Sequence, residues 1–166
     1  MNVRLIFGIS VLMSFVSSAV AAALYVWPKL RTAERSRALA SLVVPHMFLR
    51  FIGLSFLIPG VVSPSLPAAF AIPAAYGDFV AGILAIIATV AIGRHLSAAR
   101  AAVWLFNVWG AVDLLFAFYQ GRYVQIDPGA LGATFLLVTA VVPPLLVTHV
   151  LIFGLLVRHE AKPAGE

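Results

Sequence analysis

The sequence predicts an all-α, polytopic integral membrane protein: a bundle of five transmembrane helices with short loops. Three observations carry that expectation, since 63% of the 166 residues are apolar, only 10% are charged, and the mean hydropathy is +1.06. A water-soluble domain is usually near half apolar and a quarter charged, so this chain lacks the polar groups to cover a surface facing water. At this length one domain over 1–166 is expected, with the lipid bilayer as its partner.

Five apolar segments are long enough, or nearly so, to cross about 30 Å of hydrocarbon at about 1.5 Å per residue. They run over 5–27, 38–62, 74–93, 101–119 and 132–157. The first resembles a cleavable signal peptide, because Arg4 precedes the apolar run and Ala19-Val20-Ala21 fits the small-x-small rule. The basic residues argue for a retained span. With the N-terminus outside, Lys29, Arg31, Arg35, Arg37, Arg94, Arg100, Arg158 and Lys162 fall on the inner side, and only Arg4 and Arg122 on the outer. That distribution follows the positive-inside rule; removing the first span would invert it. The expected location is a bacterial-type cytoplasmic membrane, N-terminus outside and C-terminus in the cytoplasm.

The second span carries Arg50, the third Asp78 and the fourth Asp113, while Ser63-Pro64-Ser65-Leu66-Pro67 and Asp127-Pro128-Gly129 break the chain between spans. Asp127 before Pro128 reads as an N-cap with proline at the first helical position. The third span is expected to begin after Pro73, which would put Asp78 in its first turns, as suited to capping as to burial. Pro143-Pro144 predicts a bend in the fifth span, with the carbonyls of Thr139 and Ala140 losing their partners and the Thr139 hydroxyl available to cover exposed backbone. Trp27, Tyr25, Tyr76, Tyr119 and Tyr123 fall near span ends, where amphipathic rings anchor depth. Small and polar residues mark the inward faces: Ser10, Ser14, Ser17 and Ala21 on the first span, Gly53 on the second, Gly82, Ala85 and Thr89 on the third, and Gly110, Ala117 and Gln120 on the fourth.

A charge at mid-bilayer costs about 2.5–3.5 kcal/mol on insertion scales, so the ionisable residues inside the spans are the informative ones. Counting from span ends places Arg50 at the middle of its span, with Asp113 as the better-placed carboxylate and Asp78 as the reserve. His46, Asn107 and His149 fall at one depth on the cytoplasmic side of that pair. The expected polar network is therefore His46, Arg50, Asp78, Asn107, Asp113 and His149. His95 and His159, beside Arg94 and Arg158, read as solvated surface.

Several functions fit such a network. It can be internal glue in an accessory or interaction subunit, fixing helix register by hydrogen bonds. It can be a proton, ion or small-solute path, which with five helices would need a homo-oligomer or a membrane partner subunit. His46 and His149 on different helices at one level could be axial ligands of haem b, with Arg50 near a propionate. A membrane-embedded enzyme acting on a lipid or quinone is the fourth class. The absence of cysteine excludes disulfides, iron–sulfur clusters and thiolate zinc sites. No Walker, GxGxxG, HExxH or GxSxG pattern occurs, which argues against an enzyme built from a familiar motif. The net charge of +5 is scattered at span ends and does not point to nucleic acid.

Overall fold

A computed structural model describes residues 2–158; His159 and Lys162 lie outside the described residues. The fold is all-helical, 83% helix with no strand among the described residues. Its five helices are α1 (Val3–Leu30), α2 (Arg35–Leu57), α3 (Ala68–Gly93), α4 (Ala99–Tyr123) and α5 (Thr134–Val157), each long and apolar enough to cross a membrane by length and composition. A short 3₁₀ turn, Pro128–Leu131, leads into α5, and the Asp127 side chain caps it by accepting from the Gly129 N–H at 3.3 Å.

The packing is a ring of four helices. α2 packs on α3, α3 on α4, α4 on α5, and α5 on α2, with α1 outside the ring against α5. Little of α1 is buried. Its inward face is Ser10, Ser14, Ser18 and Ala22, whereas Ser17 and Ala21 are exposed, so the stripe keeps a four-residue spacing and ends one position later than the small residues alone suggest. Trp27 fastens the far end of α1, packing on Gly154 and lying 6.0 Å from the Arg158 guanidinium.

Prolines explain most departures from the expected boundaries. α3 begins directly after Pro67 and runs through Pro73, so Asp78 lies about two residues from the helix middle and has no capping role; Tyr76 lies deep with it. A proline inside a helix leaves the carbonyl four residues earlier without its N–H partner. Here that carbonyl belongs to Ala69, and the Gln120 amide donates to it at 3.1 Å. In α1 and α5 the solution differs. A π-helical turn over Ala22–Val26 comes just before Trp27-Pro28, and another over Leu137–Val141 just before Val142-Pro143. The wider turn shifts each N–H to a carbonyl five residues back and makes room for the ring that follows. The Thr139 hydroxyl donates to the Phe135 carbonyl at 2.7 Å and not to the carbonyls released by the proline pair.

α2 ends at Leu57, not Val62, and its last eight residues, Arg50–Leu57, form a 3₁₀ helix. With three residues per turn, side chains at i, i+3 and i+6 stack in one line. Arg50, Gly53 and Phe56 are that line, and all three are buried.

The loop after α2 is tied to the turn before α5 by the Ser63 N–H donating to the Ala130 carbonyl (3.0 Å) and the Ala133 N–H donating to the Val61 carbonyl (2.9 Å). Gly132 makes the crossing possible. Its φ is +55° and ψ −131°, and a side chain there would run into the Val61 carbonyl. Replacing Gly132 with Ala is therefore expected to destabilise the protein by about 1–3 kcal/mol, measured as a lower unfolding midpoint in detergent, because it combines backbone strain with a clash.

Candidate functional site

The centre of the ring is a single guanidinium held by all three other helices. Arg50 of α2 is fully buried, and its Nη1 forms ion pairs with Asp78 Oδ1 of α3 and with Asp113 Oδ2 of α4, the latter at 2.9 Å. Its Nη2 donates to the Gly110 carbonyl of α4 at 2.6 Å and to His149 Nε2 of α5 at 3.2 Å. Asp78 is thus a full partner alongside Asp113 and not a reserve. Only Nε of the guanidinium, a buried atom, has no acceptor among the described residues.

His149 is locked in one tautomer by its neighbours. Its Nδ1–H donates to Asn107 Oδ1 at 2.7 Å, while Asn107 Nδ2 returns a bond to the His149 carbonyl at 3.2 Å, which fixes the orientation of the amide. Nε2 is left to accept from Arg50. His46 is bonded differently: the Thr148 hydroxyl donates to the Leu145 carbonyl, so it accepts from His46 Nε2–H at 2.8 Å. That leaves His46 Nδ1 as a buried acceptor without a partner among the described residues. The two imidazoles pack against each other, centroids 4.6 Å apart, and both pack on Phe106.

All six residues of the expected network are therefore brought into one cluster, but haem does not fit it. A porphyrin held by two axial imidazoles lies between them, and rings 4.6 Å apart leave no gap for it. Both Nε2 atoms are also engaged, one of them facing a cation. Among the described residues no group of three or more His, Cys, Asp or Glu side chains could hold a metal ion.

Glycines make the room for this cluster. A methyl group at Gly53 would overlap the Asp78 carboxylate, and one at Gly77 the Asp113 carboxylate. At Gly110 it would lie 2.6 Å from His149 Cε1 and 2.8 Å from Arg50 Nη2. The Gly77 carbonyl also accepts from Trp109 Nε1 at 3.3 Å, tying α3 to α4 beside the ion pairs.

On one side of the cluster lies a cavity of about 420 Å³. Asp78 and Asp113 form its floor; Phe7, Phe56, Phe70 and Phe118 wall it; and the exposed residues Arg4, Arg122 and Gln125 stand at its mouth. α1 closes its flank through Phe7, packed edge-on to Phe135 at 5.8 Å, and Phe15, packed on Phe118 at 6.3 Å. On the other side of the cluster Leu39, Leu42, Val43, Val103, Phe106 and Ile152 form a dense apolar plug, each at most 5% exposed. The cavity is blind. Its walls come from residues on all five helices and the turn before α5, with no shared sequence spacing, which is why periodicity could not reveal it.

Fold and site together define a five-helix bundle with a central ion-pair cluster at the foot of a blind cavity. The chain belongs to the family described as a domain of unknown function, DUF8737, whose match covers residues 6–157. No curated protein and no solved structure matches it.

Two outcomes test the cluster. Asp78→Asn or Asp113→Asn alone leaves Arg50 one carboxylate, whereas the double change leaves a buried cation without one. The double variant is expected to lose more than the sum of the single losses, with a total of about 3–5 kcal/mol, in a double-mutant cycle read by thermal unfolding. Gly110→Ala is expected to cost about 1–3 kcal/mol through overpacking. Gly8→Ala and Gly93→Ala, where the added methyl would meet nothing within 4 Å beyond the local backbone, should shift the same midpoint little.

Proposed function

We propose that this chain is a multi-pass protein of a bacterial-type cytoplasmic membrane, N-terminus outside and C-terminus in the cytoplasm. In this reading it acts as a small-ligand-binding bundle, an accessory or receptor-type module. The observation that carries the reading is the blind cavity. It has the volume and the mix of apolar wall and few polar groups typical of small-molecule sites, and its polar floor is made by the Arg50 cluster. The orientation rests on the basic residues: Arg4 and Arg122 at the cavity end, against Lys29, Arg31, Arg35, Arg37, Arg94, Arg100 and Arg158 at the other. The cavity then opens to the outer face.

A path through the bundle has less support. It would have to pass the fixed positive charge of Arg50, then a His149 whose two nitrogens are both committed, then the apolar plug. In this reading the histidines and Asn107 are the scaffold that holds Arg50 in place, and the carboxylates face the ligand.

The absence of cysteine makes the test direct, since one introduced thiol is a unique reporter. In intact cells Ala117→Cys, on the cavity wall, is expected to react with a membrane-impermeant maleimide, and Ala88→Cys, in the plug, is expected to stay silent until the protein is unfolded. Labelling of Ala117→Cys only after the inner face is exposed would reverse the orientation. No labelling from either face would remove the open cavity.

A further inference from the structure

The two floor carboxylates are unevenly used. Each gives one oxygen to the same Arg50 Nη1, and among the described residues no donor reaches Asp78 Oδ2 or Asp113 Oδ1. Both residues line the cavity. One guanidinium faces two carboxylates, so with both ionised the floor carries an excess negative charge and two acceptor oxygens, at the bottom of an apolar recess. Nothing else in the cluster offsets it: His149 presents Nε2 as an acceptor to Arg50, and Asn107 is neutral. Thr148, bonded to His46, is neutral too. The basic residues on the same cavity, Arg4 and Arg122, are exposed at its mouth, and Arg122 is nine residues along α4 from Asp113, about 13 Å. Both are next to water, which screens their field at the floor.

The walls repeat the preference. Phe7, Phe56, Phe70 and Phe118 come from four different helices, and Phe56 and Phe70 meet edge to face at 5.4 Å. Aromatic faces carry partial negative charge and attract cations that have left water. An anionic head would meet repulsion at the floor, and a wholly apolar guest would leave the two oxygens without donors.

We propose that the cavity takes a small amphiphile with a protonated amine at its buried end. The ammonium group donates to the Asp78 and Asp113 carboxylates at the floor, and the apolar body lies along the phenylalanines. This inference rests on the cavity being an open binding site, as proposed above, and adds the chemical class of its ligand. An ammonium with its three donors suits two carboxylates that line one recess, and charge-assisted bonds of this kind are stronger than neutral ones.

The test uses the full-length protein purified in a maltoside detergent and three soluble probes of matched shape: 4-phenylbutylamine, 4-phenylbutan-1-ol and 4-phenylbutyrate. The amine is expected to raise the unfolding temperature saturably and to slow maleimide labelling of Ala117→Cys, with the alcohol and the acid weaker by about tenfold or more. Asp113→Asn should remove the preference for the amine. Because that change also touches Arg50, Ala117→Phe provides a second control: it fills the cavity without altering a charge and should abolish amine binding while the protein remains folded. Saturable binding of the acid or the alcohol at least as tight as that of the amine would overturn the proposal and leave the open cavity standing. Binding of none of the three probes, with Ala117→Cys still labelled from outside, would do the same. Failure of Ala117→Cys to label at all would instead remove the cavity on which the proposal rests.

Discussion

A guanidinium cannot give up its proton under any condition a protein meets, so an arginine in the middle of an apolar bundle must be solvated by the protein around it. Arg50 is solvated by one group or more from every other helix of the ring: Asp78 on α3, Asp113 and the Gly110 carbonyl on α4, and His149 on α5. Between apolar helices in a hydrocarbon solvent, close packing alone specifies register poorly, because lipid is as good a neighbour as leucine. Hydrogen bonds to one immovable cation specify it sharply. A slip of one residue in α3, α4 or α5 would carry a ligand of Arg50 away, at the cost of a buried charge left short of partners.

The rest of the local structure serves that arrangement. Gly53, Gly77 and Gly110 provide the space for the carboxylates and the imidazole, so they cannot carry side chains. The 3₁₀ end of α2 sets Arg50, Gly53 and Phe56 in a straight line facing the interior, where an α-helix would have turned them progressively aside. Asn107 holds His149 so that its lone pair faces the guanidinium. The unmatched features are as telling: among the described residues Arg50 Nε and His46 Nδ1 are buried without partners, and Asp78 and Asp113, each with one oxygen that accepts no hydrogen bond, line the cavity. A core selected for stability alone would be expected to satisfy such groups or to replace them with hydrocarbon, and a ligand site is where proteins leave them open.

Irregular helices also build the cavity. α1 is set against α5 outside the ring, and its first turns bring Arg4 and Phe7 over the gap between α4 and α5. The π-turn over Leu137–Val141 contains Val138 and is followed directly by Val142, two further wall residues, so the segment that admits the proline also shapes the recess. Gln120 lies on α4 between Ala117 and Gly121 of the same wall, and it holds the Ala69 carbonyl that Pro73 releases. A helix wall is thus bonded across to its neighbour at the point where the neighbour's own ladder is interrupted.

Composition and periodicity alone determined the all-α class, the number of apolar helices and the residues that must be explained, because a charge or an imidazole in an apolar run stands out whatever its neighbours are. Depth counting also put His46, Asn107 and His149 on one level, since rise per residue is nearly constant in any helix. What only the tertiary structure decided is which groups touch. Asp78 looked like a residue of a first turn because Pro73 reads as a helix start, and a bond from Gln120, on another helix, lets α3 run through that proline. His46 and His149 looked like a pair of ligands because depth says nothing of distance across a bundle, and the ring packs them against each other, tilted and with centroids 4.6 Å apart, with no room between. The cavity had no sequence signature at all. It is the volume left over when helices from distant parts of the chain are tied to Arg50, and a volume belongs to no residue until the helices meet.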